Sequence, residues 1–126
     1  MPITFELKPE QQLVIFRHIG DVPDDEFLTF YKDFFENPKA TAYQNLLIDL
    51  AETKSVSRSS EALQALIMLL REKLKHSSAQ RKVAVIAPED LSFGLARMYE
   101  IFSNDVPWEF EVFREGHAAQ AWLGVT

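Results

Sequence analysis

The residues best placed to do chemistry are four closely spaced serines, Ser55, Ser57, Ser59 and Ser60, just ahead of an apolar helical pattern. Hydroxyls at a helix N-terminus sit among free backbone N–H groups, which stabilise a bound anion or a phosphate carried on the serine itself. The competing role is capping, in which Ser57 or Ser59 accepts a hydrogen bond from the first helical turn. Capping is the more economical reading. Asp49, within the apolar run NLLIDLA, is the second candidate. A carboxylate there is costly unless hydrogen-bonded, and the following loop can supply backbone N–H donors. Its position near the carboxyl end of a strand is also where open α/β sheets bind ligands. Asp49, Ser57, Ser59 and Ser60 together make the candidate ligand or partner site.

Other chemistry is missing. His18, His76 and His117 are far apart and show no HExxH or comparable spacing. The chain has no cysteine, which removes disulfides, thiolate metal sites and a cysteine nucleophile. The only glycines are Gly20, Gly94, Gly116 and Gly124, and no glycine-rich phosphate loop or GxSxG elbow occurs. The acidic pairs Asp24/Asp25 and Glu89/Asp90 fall in helix first turns, where they complement the dipole. No catalytic residue, cofactor or metal is expected, and the protein reads as a non-enzyme.

The elements that carry these residues follow from apolar periodicity. Ile3, Phe5 and Leu7 alternate with polar residues in a first strand, and Leu13–Ile19 form a second, the two making an antiparallel hairpin. Gly20 ends the second strand. Pro23 opens a helix with Phe27, Phe30, Tyr31, Phe34 and Phe35 facing inward, stopped at Asn37-Pro38. Asn45–Ala51 is a buried strand, and Glu52–Arg58 a polar loop. A helix from Ser59 to His76 buries Leu63, Leu66, Ile67, Leu70 and Leu74. Lys82–Ala87 is the next strand. Pro88 begins a helix whose stripe is Leu91, Leu95, Met98 and Phe102, leaving Arg97 and Tyr99 to solvent. Gly94, inside this helix, implies close packing. Trp108–Phe113 is the last strand, and a short helix with Ala118, Ala119, Trp122 and Leu123 closes the chain. The order ββαβαβαβα implies a mixed sheet, parallel apart from its first pair, with the first strand at or near an edge.

The chain has 126 residues, one domain's worth, and a net charge of −6 with scattered basic residues. Nucleic-acid binding needs clustered Lys and Arg and is not expected. The apolar run Ala65–Leu70 is far too short for a membrane span, and the N-terminus has no basic, apolar leader. A cytoplasmic protein is therefore expected, with no membrane insertion.

Two apolar surpluses remain. Ala65, Met68 and Leu69 lie beyond the stripe their helix needs, and Val14 and Phe16 lie opposite Leu13 and Ile15. Such surplus marks an interface or a ligand groove. A homodimer burying Ala65, Met68 and Leu69, or the second strand, is expected.

The segments ITFELKPEQQLVIFRHIGDV, NLLIDL, KVAVIAPEDLSFGLARMYEIF and FEVFREGHAAQAWL resemble the SpoIIAA-like (STAS-type) family, over nearly the whole chain. The resemblance implies a βα superhelix with a mixed five-stranded sheet and four main helices. It also implies a protein-interaction or regulatory module. The winding is shared with CRAL-TRIO domains, which implies, as the alternative, an apolar small molecule or lipid in a pocket. Anti-sigma-factor antagonists of the family carry an Asp-Ser-Ser-Gly loop whose first serine is phosphorylated. Here Ser59 and Ser60 match the serines once one inserted residue is allowed. Arg58 replaces the Asp and Glu61 the Gly, so the resemblance does not carry phospho-switching to this chain.

Overall fold

The computed structural model describes residues 3–37, 45–55, 58–74, 81–106 and 108–125. Its elements are β1 (Ile3–Lys8), β2 (Leu13–Asp21), α1 (Asp24–Glu36), β3 (Asn45–Ser55), α2 (Ser60–Leu74), β4 (Arg81–Ile86), α3 (Asp90–Phe102), β5 (Trp108–Phe113) and α4 (Gly116–Leu123). A single 3-10 turn, Pro9–Gln11, joins β1 to β2. The five strands form one sheet in the order β1-β2-β3-β4-β5. β1 is antiparallel to β2, and every later pair is parallel. The expected mixed sheet with four helices and β1 at an edge is the observed architecture.

Each parallel strand is the immediate neighbour of the one before it, so every crossover steps the same way across the sheet. Right-handed connections that never reverse direction place their helices on one face. α1, α2 and α3 accordingly cover the face carrying Ile3, Val14, Phe16, Leu46 and Val83. α4 follows the last strand and folds back onto the other face, over Leu13, Ile15, Leu47, Ala84 and Ile86. Helices on both faces bury Leu13, Val14, Ile15 and Phe16 of β2, so these four offer no interface surface, while Ile19 further along the strand is 42% exposed. The aromatic stripe of α1 closes this end of the core: Phe16 meets Phe34 edge-on, with ring centres 4.6 Å apart.

Several boundaries differ from the sequence reading. β2 does not end at Gly20; it runs on to Asp21, with Gly20 at φ +70 beside a shift of register. β3 likewise continues past Ala51, because Glu52, Thr53 and Ser55 pair with the extended β2. The segment read as a loop is therefore largely strand.

The largest correction concerns α3. Its buried side is Ser92, Ala96 and Tyr99, while Leu91 and Phe102 are exposed and Leu95 and Met98 half-buried. The helix turns its small residues to the sheet and leaves large ones at its margins. Tyr99, read as solvent-facing, is only 7% exposed and its ring lies tilted against that of Phe110, with centres 5.2 Å apart. Arg97 is on the surface and pairs with Glu100 at 2.8 Å. Gly94 is exposed, and a Cβ there would meet nothing within 4 Å, so close packing is not its reason.

Candidate functional site

The small inward residues of α3 leave a space that the large side chains of α1 and α2 do not fill. The result is a partly open cavity of about 90 Å3 between the sheet and the α1–α3 layer. Its walls are mainly apolar, with Phe27, Ile48, Leu66, Val85 and Leu95 among them. Polar groups among the lining are His18, Tyr31, Thr53, Arg58, Ser92 and Tyr99. His18 and Thr53 stand toward the carboxyl ends of β2 and β3, and Arg58 just beyond β3. Ser92 is in the first turn of α3, which follows β4. This is the end of an open α/β sheet at which ligands are usually bound.

His18 is 4% exposed, and its Nε2 lies 3.0 Å from the Tyr31 hydroxyl. Burial, and to a lesser extent the nearby Arg58 guanidinium, pushes the imidazole pKa down to about 3. The ring is neutral at physiological pH. One of the two groups must then donate and the other accept across the 3.0 Å contact. Burial raises the Tyr31 hydroxyl well above its ordinary range, and raises that of Tyr99 with a further contribution from Tyr31. Neither phenol ionises at neutral pH. Thr53 donates its hydroxyl to the His18 carbonyl at 3.4 Å, which ties the end of β3 to the same strand.

Arg58 closes this corner. Its guanidinium lies over the Phe27 ring at 4.0 Å. One terminal nitrogen donates both to the Val22 carbonyl at 2.9 Å and to the Asp24 carboxylate at 3.0 Å. Burial pulls the Asp24 pKa upward, but hydrogen bonds from Ser59 and Arg58 outweigh it and hold the carboxyl below its usual value. The residue standing where the family motif has an Asp is thus the clamp between the β3–α2 connection and the start of α1.

Of the serines, Ser59 is hydrogen-bonded to the Asp24 carboxylate. Ser59 Oγ accepts the backbone N–H of Ala62 at 3.0 Å, a helix N-cap. Ser60 is the first residue of α2 and is exposed. Ser57 lies outside the described residues. Asp49 is half-buried on the side of β3 that carries Leu47, facing away from the cavity. Its Oδ1 accepts the Ala51 N–H at 2.9 Å, as expected of a carboxylate at this point of a strand. The structure gives Asp49 and Ser59 separate local partners, Ala51 for the one and Ala62 and Asp24 for the other. The site that it does assemble, around His18, Tyr31, Arg58 and Tyr99, was not singled out in the sequence. His18 and Tyr31 each occupy inward positions of regular elements, and only their convergence marks them. His117 is exposed, 3.1 Å from Glu115, and His76 lies outside the described residues.

On the outer side of α2, Met68 is 67% exposed, Ala65 is exposed and Leu69 is half-buried against the core. Among the described residues no group of three or more His, Cys, Asp or Glu could hold a metal ion. No helix among them is long and apolar enough to cross a membrane.

No protein-family model matches the chain, and no curated protein does. Solved structures do. An uncharacterised DUF3478-family protein with a SpoIIAA-like fold, from Shewanella loihica PV-4, superposes with a TM-score of 0.59 at 23% identity, covering 96% of this chain and 91% of that one. The anti-sigma factor antagonist SpoIIAA in its unphosphorylated form gives a TM-score of 0.54 at 11% identity, covering 92% and 91%. A chain in the complex of the diguanylate cyclase SiaD with its activator SiaC, from Pseudomonas aeruginosa, gives 0.49 at 16%, covering 87% and 91%. Strand order, the placing of the helices and these two superpositions above 0.5 agree, and the chain has the SpoIIAA-like (STAS-type) fold.

Proposed function

We propose that this protein is a non-enzymatic, regulatory interaction module that docks a protein through the outer side of α2, in the first instance a second copy of itself. The observation that carries this reading is Met68, left 67% exposed on a helix whose other side buries Ala62, Leu63, Leu66, Ile67, Leu70 and Leu74. Ala65 and Leu69 flank it. α3 adds exposed Ile101 and Phe102, and Arg71 of α2 bonds both the Phe102 carbonyl and Asp105, so the two helices present a common surface. Covering a side chain such as Met68 is worth roughly 1.5–3 kcal/mol, and a two-fold contact is the commonest way to do it. SpoIIAA, which has the same fold, is by name an antagonist of another protein. That supports the reading by analogy of fold. The non-enzymatic part rests on the groups themselves: Ser59 caps α2, and His18 spends its Nε2 on Tyr31.

Sedimentation of the wild type and of Met68→Glu tests this. The wild type is expected to be a dimer and the variant a folded monomer. A wild type that stays monomeric at high concentration would end the self-association reading.

A second reading is carried by the cavity, which has the walls and the polar corner of a site for an apolar small molecule.

A further inference from the structure

Resting on that second reading, we infer that the cavity takes a small amphipathic monoanion, a carboxylate whose head meets Arg58 and whose short apolar body lies against Ile48, Leu66 and Leu95.

Three observations select this class. The first is charge. Arg58 is the one ionised residue among those lining the cavity, since no Asp or Glu lines it and His18 is buried and neutral. An apolar space with one cationic corner favours a ligand bearing one negative charge.

The second is hydrogen bonding. The hydrogen bonds of Arg58 to Val22 and to Asp24 both leave from one terminal nitrogen of the guanidinium. They do not use the other edge, and a guanidinium edge matches a carboxylate side-on. Asp24 balances part of this charge from the solvent side: it is the more exposed of the pair, at 37% against 11%, and does not line the cavity. Arg58 itself is held in place by the Phe27 ring beneath it, so it is preorganised for a ligand head.

The third is size. A cavity of about 150 Å3 is enough to enclose one benzene ring. At about 90 Å3, this partly open space takes part of a short chain of about six carbons, the rest lying at its mouth, and not a long lipid tail. Ser92 and Ala96 set that limit from the α3 side.

The full chain is titrated with hexanoate, hexan-1-ol and palmitate while its backbone amide resonances are followed. Hexanoate is expected to shift residues around the cavity, in β2, β3, α2 and α3, and to bind about ten-fold or more tightly than hexan-1-ol, the gain of a hydrogen bond to a charged group. Arg58→Gln should erase that preference. Ala96→Leu, which fills the cavity from α3, should abolish hexanoate binding in a folded protein. Should Arg58→Gln not fold, the comparison of the two ligands on the wild type decides alone. Equal affinity for hexanoate and hexan-1-ol would overturn the anion assignment while leaving a ligand cavity in place. Tighter binding of palmitate than of hexanoate would overturn the size assignment. No shift with any of the three at millimolar concentration would overturn both this inference and the ligand reading beneath it.

Discussion

His18 and Tyr31 meet in the core through a 3.0 Å contact between the imidazole Nε2 and the phenol oxygen, one group from β2 and the other from α1. The burial of His18, with a lesser contribution from Arg58, makes stability depend on pH. The folded chain holds His18 neutral down to about 3, whereas an unfolded chain protonates it near 6.5. Between those values the unfolded state binds more protons, so stability is full above the unfolded value and falls as pH falls. The slope is about 1.4 kcal/mol per pH unit. Glu6, Asp24 and Asp105, whose carboxyls are all held low, add their own losses only deeper in the acid range. Urea unfolding between about pH 6.5 and about pH 5 should therefore show a loss of about 2 kcal/mol that belongs to His18. His18→Gln, which keeps a polar partner for Tyr31 and does not titrate, should flatten the profile. A flat wild-type profile would contradict a buried, neutral His18.

The two neighbouring serines should differ in stability. Ser59→Ala removes the hydroxyl that caps α2 and is expected to cost about 1 kcal/mol. Ser60→Ala, at an exposed first helical position, should stay within about 0.5 kcal/mol of the wild type. Denaturant midpoints of the two variants, measured together, check this. Equal effects would remove the cap from the account.

Neither Ser59 nor Ser60 is expected to accept phosphate from kinases of the anti-sigma type. Ser59 already bonds the Ala62 N–H and the Asp24 carboxylate, and a phosphate there would bring a second anion against Asp24. Peptide mass mapping after incubation with such kinases is the measurement, and stoichiometric phosphate on either serine would refute the expectation.

Gly94→Ala is expected to stabilise the protein by up to about 1 kcal/mol. The position is helical, exposed and open, with no neighbour within 4 Å of an added Cβ, so only the helix propensity changes. Thermal unfolding of the variant tests it. A destabilised variant would mean that the glycine serves a contact made by another molecule.

Element type and order were legible because each depends on periodicity within a short window. Ile3, Phe5 and Leu7 alternate, and Phe27, Tyr31 and Phe35 recur at helical spacing, so each announces its own buried side. The Asp49 carboxylate, which accepts a backbone N–H, was also readable, since its partner Ala51 is two residues away in the same strand. α3 was misread for a physical reason. Its most apolar stripe is not its inward stripe: Ser92, Ala96 and Tyr99 face the sheet while Leu91 and Phe102 remain outside. Hydropathy ranks residues by their own preference for water and carries no record of the space opposite them.

The sequence by itself determined a mixed α/β sheet, its helix count, the absence of cysteine chemistry and a serine cap at Ser57 or Ser59, all matters of local pattern or composition. Only the tertiary structure decided that α1, α2 and α3 share one face while α4 takes the other. It alone set His18 of β2 against Tyr31 of α1, and Arg58 over Phe27 with its bond to Asp24. Those pairs are separated by 13 residues for His18 and Tyr31 and by 34 for Arg58 and Asp24. Nothing in either local stretch encodes the partner, because the contact exists only once the sheet and its crossovers have brought the strand and helix ends together.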